Sequence, residues 1–163
     1  MTETPRRPAR DFPQATEQEW ALWTSFFPME AELWQWLSRS LRADTGLSEA
    51  DWQVLEILGN TPGHSLRAFH LAERIKFSKS RLHQHAARMT TRGFLEQHPA
   101  PEDGRGTIIT LTSVGLSTFR DAQIHRARHI REALIEALTP DEVDTLIDLS
   151  TKIRRTVREL GTT

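Results

Sequence analysis

The chain has 163 residues, no cysteine, 37% hydrophobic residues and a formal net charge of −1. These values exclude disulfides, thiolate metal sites and cysteine redox chemistry, and they allow one domain with its own core. No apolar run approaches the ~18–20 residues of a membrane span, and the polar, Pro- and Arg-rich stretch Met1–Arg10 has no apolar core of a secretory leader, so a cytoplasmic protein is expected.

Residues 1–15 read as a disordered arm. Residues 16–46 follow as an N-terminal helix, with apolar positions at 20, 23 and 27 and then at 33, 37 and 41. Pro28 falls inside that pattern and predicts a kink or break after Phe27, because proline has no amide hydrogen and its ring crowds the preceding turn. Trp20, Trp23, Phe26, Phe27, Trp34 and Trp36 make the stripe too apolar for a lone surface helix, which predicts packing against a core and a partner chain together.

Residues 47–112 carry the densest local signals. Ser48-Glu49-Ala50-Asp51 is an acidic capping box opening a helix on Trp52, Val54, Leu55 and Leu58. Thr61-Pro62-Gly63 is a turn, and Leu66, Phe69, Leu71, Ala72 and Ile75 mark a short helix ending near Lys76-Phe77. Ser78 is the next N-cap, with Leu82, Ala86 and Met89 on the buried face and Gly93 as terminator. Phe94 to His98 and Thr107 to Leu111 read as two short strands around a loop holding Asp103-Gly104-Arg105. Residues 113–160 form two more helices, one capped by Thr112 and running to about Leu138, the other starting at Thr139-Pro140-Asp141-Glu142.

Helix, tight turn, helix and hairpin in this order are the layout of a winged helix-turn-helix. The fold class expected is therefore mainly α with a small β-hairpin wing, flanked by N- and C-terminal dimerisation helices. Charge follows the same division. Residues 1–60 hold five Arg/Lys against ten Asp/Glu, residues 61–112 hold eight against four together with five of the seven His, and residues 113–163 hold eight of each. A basic central module between acidic and neutral ends is the footprint of a face that meets phosphate.

On the helix opened by Ser78, the residues Lys79, Ser80, Arg81, His83, Gln84 and Arg88 fall off the apolar face. Arg can fork onto guanine and Gln can pair bidentately with adenine, while Lys, Ser78, Ser80 and the helix N-terminus suit backbone phosphates. Arg105, positioned by Asp103 at the hairpin tip, has the reach and permanent charge to enter a minor groove. Double-stranded DNA is thus the expected partner. An ordinary solvated helix face is the alternative use of the same residues.

His125 and His129 stand four apart on one helix, a spacing that also suits a metal, but with Arg126 and Arg128 beside them an exposed or interface pair is the plainer assignment. No Ser/His/Asp set, phosphate-binding glycine loop or carboxylate pair stands out, so neither enzymatic activity nor a cofactor is expected. The rival functions are a winged helix that binds protein instead of DNA, and a metal- or small-molecule-binding protein.

These residues resemble the MarR family of bacterial transcriptional regulators, over roughly Gln18 to Ile153. The resemblance is carried first by Leu47-Ser48, Asp51-Trp52, Val54-Leu55 and Leu58, and then by Leu71-Ala72, Ile75, Phe77-Ser78, Ser80, Leu82, Met89 and Gly93-Phe94-Leu95. Asp103, Arg105, Ile109, Leu111-Thr112 and Gly115 match the wing signature, and Leu138-Thr139 with Glu142 match entry into the last helix. The resemblance implies a homodimer with interlocked terminal helices on a pseudo-palindromic operator, more often repressing than activating. It also implies a small aromatic effector, for which Trp23, Phe26, Phe27, Trp34 and Trp52 are the pocket candidates; core or dimer packing is the other use of those rings. Two positions depart from the pattern. His83 stands where the family has Ser or Thr, which bears on the operator sequence. Phe69 replaces a capping Ser or Thr, which predicts that the short helix starts earlier, at Ser65.

Overall fold

The computed structural model describes residues 15–100 and 106–161. Contacts divide the chain into two compact units, Met1–Gln35 and Trp36–Thr163. The arm expected over 1–15 lies, apart from Ala15, outside the described residues.

Helix α1 runs from Glu17 to Thr45 with Pro28 inside it, so of the kink or break expected after Phe27 the break does not form. Proline removes one backbone bond, that to the carbonyl of Thr24, an exposed residue. The Thr24 and Ser25 hydroxyls donate back to carbonyls of Trp20, Ala21 and Leu22 at 2.8–3.3 Å.

Helix α2, Glu49–Gly59, opens on the expected capping box: the Asp51 amide donates to the Ser48 hydroxyl at 3.1 Å and the Ser48 amide to Asp51 Oδ2 at 2.9 Å. A 3₁₀ turn at Pro62–His64 leads into strand β1, Ser65–Arg67. The short helix α3 therefore spans Ala68–Ile75 and does not start at Ser65. Lys76 closes α3 in the left-handed region (φ 54°, ψ 40°), and Ser78 caps α4, Lys79–Thr91, by accepting from the Arg81 amide at 3.2 Å.

Strands β2, Leu95–Pro99, and β3, Thr107–Leu111, form the expected hairpin. β1 adds a third antiparallel strand in the order β1-β3-β2, pairing Leu66 with Ile109. Helix α5, Ser113–Ile130, is capped by Thr112, whose hydroxyl accepts from the Gly115 amide at 2.9 Å and donates to the Gly93 carbonyl at 2.6 Å. It does not continue to Leu138 as an α-helix: Arg131–Ile135 form a π-helical turn in which the Glu136 amide reaches the Arg131 carbonyl at 2.9 Å. Helix α6, Pro140–Leu160, begins on a second capping box between Thr139 and Glu142.

The core of the second unit gathers Leu41, Leu47, Val54, Leu55, Leu58, Leu71, Met89, Leu95 and Ile109 with the face of α5 that carries Phe119 and Ala122. Helix α4 thus stands on the core by Leu82, Ala86 and Met89, with His85 buried beside them, leaving its opposite side to solvent. No helix among the described residues is long and apolar enough to cross a membrane.

Candidate nucleic-acid interface

The exposed side of α4 has an order that residue types alone do not give. Opposite the buried Leu82, His85, Ala86 and Met89 stand Ser80, Gln84, Ala87 and Thr91, all exposed and spaced four, three and four residues apart. This row is the outermost edge of the helix, so it is what a groove would meet first. Ala87 and Thr91 were not among the residues singled out from sequence; their place on the Ser80–Gln84 row was the available signal. A small Ala87 lets a helix approach base edges closely, and alanine suits contact with a thymine methyl.

The remaining candidates flank that row. Lys79 and His83 lie with Ser80 along a groove of about 880 Å³ between α3, α4 and the hairpin, where Phe69, Lys76 and Gln97 also face the opening. Ser78 spends its hydroxyl lone pair on the helix cap, which leaves the O–H free to donate to a phosphate. Arg81 and Arg88 fall on the other flank. The Arg81 guanidinium lies over the Phe77 ring, 3.8 Å from its centroid, and Arg88 Nη2 donates to His85 Nδ1 at 3.2 Å. Asp103 and Arg105, the candidates at the hairpin tip, lie outside the described residues.

What orients α4 is a polar cluster beneath it. Asp51 and His85 are both buried, with His85 Nε2 3.2 Å from Asp51 Oδ1. Arg92 Nη1 donates to Asp51 Oδ2 at 2.9 Å. Burial would raise the Asp51 carboxyl, but hydrogen bonds from His85, Ser48 and Arg92 outweigh it and hold the group well below the usual carboxylate range. One carboxylate therefore closes the cap of α2 and ties down both the middle and the end of α4.

The aromatic candidates separate. Trp23, Phe26, Phe27 and Trp34 are exposed on α1, with the Trp23 and Phe27 rings 4.4 Å apart and Phe26 edge-on to Phe27 at 5.4 Å. Trp52 is instead buried in the core, 5.8 Å from the Phe119 ring.

His125 and His129 converge on a carboxylate, Asp44 near the end of α1. His129 Nε2 is 2.7 Å and His125 Nδ1 3.4 Å from Asp44 Oδ2, with the Arg128 guanidinium on the same oxygen. The hydrogen bond from His129, aided by the Arg128 charge, lowers the Asp44 pKa. A guanidinium on the shared oxygen opposes a cation there, and among the described residues no group of three or more His, Asp or Glu side chains is arranged to hold a metal.

Comparison with known proteins gives a consistent answer. Residues 45–106 match the family profile described as MarR family. The chain is 22% identical over 118 residues to the HTH-type transcriptional regulator YdgJ of Bacillus subtilis (strain 168), covering 72% of this chain and 70% of YdgJ. Among solved structures it is similar to AbsC of Streptomyces coelicolor, a MarR family transcriptional regulator, with 27% identity, a TM-score of 0.79, and coverage of 90% of this chain and 98% of AbsC. It is also similar to Sco3205 of Streptomyces coelicolor, a MarR family regulator solved in complex with DNA, at 26% identity and a TM-score of 0.79, covering 88% and 94% of the two chains.

Proposed function

Because the chain belongs to the MarR family of transcriptional regulators, we propose that it binds duplex DNA as a homodimer and represses transcription in the cytoplasm. The observation that carries this reading is the exposed row Ser80, Gln84, Ala87 and Thr91 on a helix held from below by the core and the Asp51 cluster. Gln84 reads a base in the major groove. Ser78, Lys79, Ser80 and His83 hold or flank it from the helix N-terminus, Arg81 and Arg88 supply charge on the opposite flank, and Arg105, turned by Asp103, reaches the minor groove. Two such lobes on a two-fold axis fit half-sites about one helical turn apart.

The homodimer rests on apolar surface that one copy leaves uncovered. Helix α6 has no buried residue, yet carries Leu146, Ile147, Leu149, Ile153, Val157 and Leu160 at 38–73% exposure. The first turns of α1 expose Trp23, Phe26 and Phe27 in the same way. Patches of this kind mark interaction surfaces. Release of DNA follows from a small aromatic ligand received by Trp23, Phe26, Phe27 and Trp34, which binds one spacing of the lobes better than the other.

Selection of bound sequences from random duplex DNA, followed by titration of the enriched duplex, tests the function directly. An enriched pseudo-palindrome bound by two copies is the expected result. Failure to enrich any sequence, or binding independent of salt, overturns it, since phosphate contacts release counterions.

A further inference from the structure

Arg81, Arg88 and Arg92 share one flank of α4 and face the first turn of α2 across a cleft of about 300 Å³, which Ser48, Ala50, Asp51, Phe77 and His85 also line. Its charge is unbalanced. Asp51 is the one carboxylate in the lining, and both of its oxygens are committed, Oδ1 toward His85 and Oδ2 to Arg92 and the Ser48 amide. Arg88 Nη2 lies 3.2 Å from His85 Nδ1. Among the described residues neither Arg81 nor Arg88 reaches a carboxylate. Arg92 pairs with that acid, which leaves Arg81 and Arg88 as the two guanidiniums of the lining without a carboxylate, and the first amides of α2 ahead of Asp51 have no intrahelical acceptor. Arg81 lies over the Phe77 ring and Arg88 against His85, so both heads are already placed. Preorganised guanidinium forks suit the planar edges of an oxyanion.

We propose that this cleft is an oxyanion site that takes a phosphate group, held by the free edges of Arg81 and Arg88, with the first turn of α2 behind it. The group is either free phosphate or a phosphodiester of the DNA backbone. The site reassigns Arg81 and Arg88: they lie to the side of the Ser80–Thr91 row and grip phosphate instead of reading guanine. Free phosphate binding is independent of the regulator reading above; the backbone source rests on it.

The test uses the full chain and its Arg88→Gln and Arg81→Gln variants, both at exposed positions. Sodium phosphate is titrated at constant ionic strength, with chloride as balance, and read by amide ¹⁵N shifts at Ala50 and Arg81. The duplex arm measures the slope of log affinity against log salt. The expected result is saturable phosphate binding confined to the cleft, weakened about tenfold in each variant, and a salt slope lowered by about 0.9 per lost phosphate contact. Phosphate binding with an unchanged slope assigns the site to free anion. A lowered slope without free phosphate binding assigns it to the backbone. Shifts spread over many basic side chains, together with an unchanged slope, overturn the proposal. If no duplex binds while phosphate does, the regulator reading fails and the oxyanion site stands.

Discussion

Asp51 in the first turn of α2 and His85 in the middle of α4 are both buried and meet at 3.2 Å, so the helix cap of one element is also the anchor of the other. Replacing Asp51 by Ala removes the acceptor of the Ser48 amide and of Arg92 together with the partner of His85. A loss of about 2–3 kcal/mol is expected, since a buried donor left without its acceptor bears most of its desolvation cost. A urea titration should show a lower midpoint at unchanged slope. If Asp51→Ala unfolds at the same urea concentration as the parent, the cluster contributes nothing to stability.

The same carboxylate sets an acid limit. Its folded pKa is lowered, so its contribution is fully present above the unfolded carboxylate value of about 3.9, and it is lost as pH falls from there through the folded pKa. Asp51→Asn should flatten this part of the acid limb of the stability curve and leave the neutral-to-alkaline limb as in the parent. An unaltered acid limb in Asp51→Asn would show that other carboxylates carry it.

Gly115 sits where α5 leaves the hairpin, and a Cβ there would stand 2.1 Å from the Phe94 carbonyl oxygen. That oxygen accepts the Thr112 amide at 3.1 Å and cannot withdraw without breaking the strand-to-helix junction. Gly115→Ala should therefore cost about 3 kcal/mol or more, read as a large fall in melting temperature. Gly46→Ala is the control. Gly46 has a positive φ of 69° but open space around it, so only about 1 kcal/mol of backbone strain is expected.

What the sequence made legible was local. The capping box at Ser48/Asp51 and the helix start at Thr139-Pro140-Asp141-Glu142 each close within four residues, so their donors and acceptors are adjacent in the sequence. The Ser78 cap and the hairpin strands were readable for the same reason. Features made by distant partners were not. β1 is three residues long, too short for an alternating pattern, and exists because Leu66 meets Ile109 across the sheet. The spacing of His125 and His129 read as an exposed or interface pair and could not show their common partner, Asp44, which lies 85 residues from His129. Arg92 drew no notice from its own neighbours, since its acceptor Asp51 lies 41 residues away. Pro28 is the converse case: a strong local rule does not end the helix, which runs on to Thr45.

Gln84 is central on the exposed row of α4 and makes its contacts with solvent alone among the hydrogen bonds and ion pairs described. Gln84→Ala should relax preference at one base pair per half-site by about 1–3 kcal/mol, because a bidentate amide pair with adenine is lost. The salt slope should not change, since no phosphate contact is removed. Titrating the selected duplex and its single-base variants measures both. Uniform weakening across all variants would place Gln84 on the backbone.

Ile153 lies midway along α6 at 52% exposure, on the line of Leu146, Leu149, Val157 and Leu160. In a single copy it contacts too little to matter for folding, so Ile153→Asp should leave the melting temperature of an isolated chain nearly unchanged. In a dimer the same change puts a charge into an apolar seam, where an unpaired carboxylate is strongly disfavoured. Sedimentation should then show a species of half the parent mass. Operator affinity should fall by ~10²-fold or more, because two lobes on one scaffold gain from effective concentration and a lone lobe does not. An Ile153→Asp protein that sediments with the parent and binds the operator as tightly would move the interface off α6. The lobes would then have to be spaced by some other surface.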